Sequence, residues 1–248
     1  MSLEAVNISK NYGEKNILKG INANINIKKI SGLLGPNGAG KTTFFYILAG
    51  LLNPSEGDIY LNEKKITKKS IRLRSELGIV YLPQEPSIFR ELTVSQNIES
   101  ALEMRNLKKD IIISRVEKLL FDFNIEKISN QKGKSLSGGQ RRRVEIARSI
   151  ALEPNFIMLD EPFAGIDPIA IQDLKQLIKK LSKDGLGILI SDHNVKATMD
   201  ICEEVFVIND GKIISSGNPK EVSNNEIVKK VYLGDMYWKL IKIITLIK

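Results

Sequence analysis

Apolar and polar residues alternate over Val6 to Asn11 and again over Ile21 to Ile27, the period-two pattern of half-buried antiparallel strands. Gly13-Glu14-Lys15-Asn16 supplies a turn between these early segments. The pattern then changes. Leu33-Leu34, Ile79 to Leu82, Phe156 to Leu159, Ile188 to Ile190 and Val205 to Ile208 are short unbroken apolar runs, separated by helical or mixed segments. Runs of this kind suit strands buried on both faces, so the spacing predicts an α/β fold: a mostly parallel sheet with crossover helices. From Glu91 to Ala151 the period becomes helical, with Val116, Leu119, Leu120 and Phe123 on one face. The organisation expected is one domain over residues 1–235, its core at about 1–87 and 151–235, with a helical subdomain inserted at about 88–150. A tail at 236–248 follows, and no internal repeat or low-complexity linker interrupts the chain.

Composition narrows the class. With 248 residues, 42% of them apolar, the chain can bury a sizeable core. A single cysteine, Cys202, excludes a disulfide within the chain, and no Cys/His cluster offers a zinc site, which fits a reducing, cytoplasmic setting. Residues Met1 to Asn7 lack the basic start and apolar stretch of a signal peptide, and no run reaches the roughly 18 apolar residues of a membrane span. Any membrane contact is therefore expected to run through a partner or a surface helix.

The net charge of +8 raises the question of nucleic acid. Lys64, Lys65, Lys68, Lys69, Arg72 and Arg74 are clustered, but no aromatic residues are interleaved to stack bases, so a solvated or anionic-membrane-facing patch is the better reading. The tail carries Trp238, Leu240, Ile241, Ile243, Ile244, Leu246 and Ile247 among Lys239, Lys242 and Lys248. It is too apolar for a free terminus and too short to span a bilayer, which leaves packing on this subunit or its mate, or shallow membrane contact.

The chemistry lies in two stretches. Gly35-Pro36-Asn37-Gly38-Ala39-Gly40-Lys41-Thr42-Thr43 fits the phosphate-loop pattern G-x-x-x-x-G-K-[ST], with an apolar run before it and a helix-compatible segment after it. Its amides would converge on phosphate oxygens, Lys41 would reach the outer phosphates of ATP, and the Thr42 hydroxyl would hold Mg²⁺. Downstream, the run Phe156 to Leu159 delivers Asp160 and Glu161 to one strand end. One carboxylate there can orient a water on Mg²⁺ and the next can polarise the attacking water. Two acids alone could be a solvated turn, but the phosphate loop makes them a candidate hydrolytic pair.

A further motif, Leu136-Ser137-Gly138-Gly139-Gln140, is foreign to ordinary phosphate-loop NTPases. With the phosphate loop, Gln84, Phe156 to Glu161, Ala164 to Asp167 and His193 in this order, the sequence resembles the ATP-binding cassette family over about residues 3–235. The resemblance implies a head-to-tail homodimer in which Ser137, Gly138, Gly139 and Gln140 complete the nucleotide site of the opposite subunit. It implies further that Tyr12 lies against adenine, that Thr42 and Gln84 ligate Mg²⁺, with Asp160 acting through water, that Glu161 and His193 are catalytic, and that Asp167 links the two sites. Two transmembrane permease subunits would be the partners, contacted through Phe89 and Arg90, with the protein peripheral on the cytoplasmic face of the inner membrane.

Within the family, Tyr81 to Arg90, Gly139 to Glu145, Glu161 to Pro168, Asp192 to Val195 and Val231 to Gly234 resemble the lipopolysaccharide-export ATPases. Branched-chain amino-acid importer ATPases are the alternative, ahead of cassette proteins acting on nucleic acid or ribosomes and of a nucleotide-binding module without turnover. Plainer roles remain open for several residues: a packed surface tyrosine at 12, a turn glutamine at 84, a subdomain contact for Phe89 and an Asx turn at Asp167. One departure stands out. The family usually has Gly-Glu after the strand ending near Ile27, where this chain has Lys28-Lys29, at a cost of order 1 kcal/mol if the turn needs positive φ.

Overall fold

The alternation near the N-terminus becomes a hairpin. In this computed structural model, which describes residues 1–105 and 107–230, β1 (Ser2–Tyr12) pairs antiparallel with β2 (Lys15–Asn26). β4 (Glu56–Leu61) and β5 (Lys64–Lys65) complete a four-stranded sheet of order β2-β1-β4-β5. The alternation of β1 is not continuous: the register shifts between Ala5 and Ile8, so both are buried while Val6 is exposed. An extra residue at a bulge resets which face a strand presents, and composition does not announce it.

The unbroken apolar runs form the second sheet, of order β10-β9-β3-β8-β7-β6. Its strands are β3 (Ile30–Leu34), β6 (Ile79–Leu82), β7 (Phe156–Asp160), β8 (Gly187–Ser191), β9 (Glu204–Asn209) and β10 (Lys212–Gly217). All neighbours pair in parallel except β10, which closes the edge antiparallel to β9. Burial on both faces is literal: Ile157, Leu159, Ile188 and Ile190 enter one hydrophobic cluster, while Phe156, Met158 and Leu189 point into another.

Helices cover those faces. α1 (Lys41–Ala49) packs in the cluster shared with the antiparallel sheet, and α2 (Ile71–Glu76) leads into β6. α3 (Val94–Glu103), α4 (Lys109–Asp122) and α5 (Gly138–Ile150) bring Ile98, Val116, Leu120, Phe123 and Val144 to the other cluster. α6 (Pro168–Lys183), α7 (Val195–Met199), α8 (Pro219–Asn224) and α9 (Glu226–Val228) follow. The carboxyl ends of β3, β6, β7 and β8 therefore open into the loops that carry Gly35, Gln84, Glu161 and His193, the edge at which parallel sheets bind ligands.

Lys28 does adopt positive φ, 59°, while its amide donates to the Leu186 carbonyl at 3.0 Å, so the turn meant for glycine is kept by lysine. Arg74 does not belong to the basic surface patch: it is 0% exposed. Its guanidinium donates to the carbonyls of Ile47 and Leu48 at the end of α1, and to those of Ile66, Thr67 and Lys69. Burial pushes its pKa down to about 10, so it stays protonated at neutral pH. The tail at 236–248 and the stretch Val231 to Gly234 lie outside the described residues.

Candidate functional site

The phosphate loop ends on an open helix. Gly40, at φ 108°, is the N-cap of the nine-residue α1 and offers no side chain to cap it, so the first amides of the helix face outward unclaimed by a capping group. Such a terminus favours an anion through its amides and its dipole. The Lys41 ammonium lies back on the loop, donating to the carbonyls of Gly35 at 2.7 Å and Pro36 at 2.9 Å. Burial lowers its pKa, and the nearby charges of Glu161 and Asp160 work against that. Phosphate oxygens would give this cation a better partner than two neutral carbonyls.

Asp160, the last residue of β7, is buried, which pushes its carboxyl up; a hydrogen bond from the Tyr81 hydroxyl to Oδ2, at 3.1 Å, opposes this. Tyr81 is held by edge-on contacts with Phe45 and Tyr46 of α1. The next residue, Glu161, stands at φ 45°, outside ordinary β geometry, with its amide bonded to the Ser191 carbonyl at 2.7 Å. Both of its oxygens are engaged. Gln84 Nε2 donates to Oε2 at 2.7 Å, and His193 Nε2 lies 2.7 Å from Oε1. The sole histidine, the loop glutamine and the strand-end acid, far apart in sequence, thus meet at one carboxylate. Thr42, Gln84 and Asp160 supply a hydroxyl, an amide oxygen and one carboxylate. Among the described residues no cluster of three or more His, Cys, Asp or Glu could hold a metal by itself. That donor set suits Mg²⁺ held jointly with nucleotide phosphates rather than in a protein cage.

The signature stretch also starts a helix. Ser137 is the N-cap of α5, its hydroxyl accepting from the Gln140 amide at 3.3 Å, while Gln140 Oε1 accepts from the Ser137 amide at 3.0 Å. This reciprocal capping box was legible as Ser-x-x-Gln. The Ser137 hydroxyl bonds only within the motif, and among the described residues no Ser137 hydrogen bond reaches the phosphate loop, Asp160, Glu161 or His193. Gly138 packs so closely on the following loop that a Cβ there would meet the Gly165 carbonyl at 2.8 Å. Asp167 is the N-cap of α6, accepting from the Ala170 amide at 2.9 Å just before Pro168, rather than the centre of an Asx turn.

Further along α5, three side chains secure the glutamine loop. Arg142 donates to the carbonyls of Pro83, at 3.0 Å, and Asp160, at 2.7 Å, and pairs with Glu145. Glu145 in turn accepts from the Ser87 amide at 2.8 Å. Arg148 donates to the Ser87 carbonyl and hydroxyl and lies 4.9 Å over the Phe89 ring. The Phe89 main chain is clamped to Asn97 of α3, yet its ring is 52% exposed beside a cavity of about 340 Å³ lined by Tyr81, Pro83, Ala101, Met104 and Leu152. Phe89 is therefore anchored to the helical layer by its backbone and presented to the surface by its ring; Arg90 is exposed beside it.

Tyr12 ends β1 with its ring half exposed and Lys10 Nζ 5.3 Å from the centroid. Asp192 was not singled out from the sequence. It is 3% exposed and accepts from the amides of Phe163, at 2.8 Å, and Asn194, at 2.7 Å. Burial pushes its carboxyl up and the two amides oppose the shift. The bond to Asn194 is a local turn contact, and nothing in the spacing marks the one to Phe163, 29 residues back.

Residues 18–164 match the family described as ABC transporter. The chain is 47% identical over 236 residues to the lipopolysaccharide export system ATP-binding protein LptB of Haemophilus influenzae, spanning 95% of this chain and 98% of that protein. Among solved structures it superposes on the ADP conformation of MJ1267, an ATP-binding cassette of an ABC transporter, with a TM-score of 0.85 and 29% identity, covering 95% of this chain and 100% of that one. A dimeric post-hydrolysis structure of the ATP-binding cassette MJ0796 bound to ADP and Pi matches with a TM-score of 0.76 and 27% identity, over 88% of this chain and 98% of that one.

Proposed function

The chain belongs to the ABC transporter family as one of its ATP-binding subunits, an ATPase, and we propose that it works as a homodimer powering lipopolysaccharide extraction from the inner membrane. The observation that carries the hydrolytic part is the engagement of Glu161 by His193 and Gln84 beside an uncapped phosphate loop. Lys41 and the α1 amides bind the phosphates, and Tyr12 stacks on the adenine. Thr42, Gln84 and Asp160 would hold Mg²⁺, which would supply charge neutralisation on the transferred phosphoryl group. Glu161 polarises the attacking water through acceptor sites that its single bonds to Gln84 and His193 leave free, and His193 also faces the γ-phosphate in this reading.

Ser137 and the glycines beside it serve the opposite subunit, which agrees with their having no bond to their own phosphate loop. Asp167 and the loop packed on Gly138 connect the two sites. Two permease subunits dock on the cavity beside Phe89 and Arg90 and hold the protein on the cytoplasmic face of the inner membrane. Among the described residues no helix is long and apolar enough to cross a membrane. The division into a core at 1–87 and 151–235 and a helical subdomain at 88–150 belongs to the same proposal, and no nucleic acid takes part.

Affinity purification of the chain from detergent-solubilised membranes, with identification of bound integral proteins, tests the cargo. Permeases whose depletion blocks lipopolysaccharide transport are expected. Recovery of branched-chain amino-acid permeases instead would overturn this reading and establish the importer alternative.

A further inference from the structure

We propose that Asp192 is a positioning residue for hydrolysis: its carboxylate bridges the loops that carry Glu161 and His193 and so sets the geometry of that pair. The inference rests on the roles assigned above to Glu161 and His193. The ladder between β7 and β8 runs out at Asp160 opposite Ser191, and the Glu161 amide makes one further bond to the Ser191 carbonyl. Beyond it the two chains diverge into separate loops. Asp192 ties them again, since Oδ2 accepts from Phe163, two residues after Glu161, and Oδ1 accepts from Asn194, one residue after His193.

Each oxygen thus holds one loop. A serine or threonine hydroxyl offers a single oxygen, whereas the Asp192 carboxylate meets each amide with a separate oxygen. Burying an acid at 3% exposure is a costly way to stabilise turns. Glu161, at φ 45°, occupies backbone space that persists only where its surroundings over-determine it. The 2.7 Å approach of His193 Nε2 to Glu161 Oε1 depends on both loops keeping their place.

In Asp192→Asn one oxygen still accepts, but the amide nitrogen confronts the other N–H and that tie is lost. Misplacing a catalytic group by about 1 Å costs on the order of 10²-fold, so kcat should fall about 10- to 100-fold while the Kd for ATP stays within about two-fold. His193 is the single histidine, so the ¹⁵N signals of its ring are identifiable in the intact protein, and their tautomer and hydrogen-bond signature should change with the substitution. A kcat within two-fold of wild type, or a lowered kcat with unchanged His193 signals, overturns the proposal. Should the asparagine form not fold, Asp192→Thr, which keeps one acceptor, is read by the same measurements. In the wild-type protein the amide protons of Phe163 and Asn194 should exchange slowly, and fast exchange at either overturns the bridge whatever the variants do. Glu161→Gln separates the two levels: if it retains turnover, the assignment of the base fails; if it is inactive while Asp192→Asn is normal, this inference alone fails.

Discussion

Replacing Arg74 by methionine should be among the most damaging single changes to stability, although the residue lies in a lysine- and arginine-rich stretch that reads as surface. Methionine fills a similar volume and donates nothing. Of the five carbonyls that Arg74 satisfies, Ile47 O also accepts from the Gly50 amide and Ile66 O from the Lys69 amide. Leu48 O, Thr67 O and Lys69 O have no other hydrogen bond among the described residues. Orphaning these three carbonyls, two buried and one partly buried, costs about 1–3 kcal/mol each, offset in part because no cation has to be desolvated. The net loss should be about 3–5 kcal/mol. For a chain of this length each kcal/mol moves the melting temperature by roughly 2–4 °C, so a drop on the order of 10 °C is expected by calorimetry. Arg72→Met, two residues away and paired with Glu76 on the surface, should cost less than about 0.5 kcal/mol. If Arg74→Met melts within about 2 °C of Arg72→Met, the buried guanidinium does not join α1 to the β4–β5 region in the way described.

Lys28→Gly removes the left-handed strain of a side chain at φ 59° and should raise stability by about 0.5–1 kcal/mol, seen as a higher urea midpoint with unchanged slope. A midpoint at or below the wild-type value would show that the lysine has a compensating contact. Phe89→Ala should leave ATP binding by the isolated subunit intact and reduce recovery of the complex with its permeases, because it removes an aromatic anchor. Unchanged recovery with normal transport would take Phe89 out of the interface.

The strands, the phosphate loop and the acids at the end of β7 were legible because each leaves a mark in residue order: an unbroken apolar run, a glycine pattern, a strand end. What escaped is held by backbone groups or by folding back. Arg74 carries the same charge as Arg72, and only its five carbonyl partners separate a buried clamp from a solvated side chain. Asp192 accepts from Asn194, two residues on, and from Phe163, 29 residues back, and no local pattern encodes the second bond. The bulge between Ala5 and Ile8 turned Val6 outward although the alternation of residue types continues through it. Arg142, Glu145 and Arg148 bind the glutamine loop because α5 lies against the ends of β6 and β7. Residue type at helical spacing marks a face, and only the tertiary arrangement says what that face meets.

In the proposed function Glu161 is the group that polarises water. Glu161→Gln preserves the shape of the side chain and removes the carboxylate, so ATP hydrolysis should fall roughly 10²- to 10⁴-fold while ATP binding persists. Light scattering after addition of Mg-ATP should then show the variant accumulating as an ATP-bound dimer. Hydrolysis near the wild-type rate, with no accumulated dimer, would contradict the assignment.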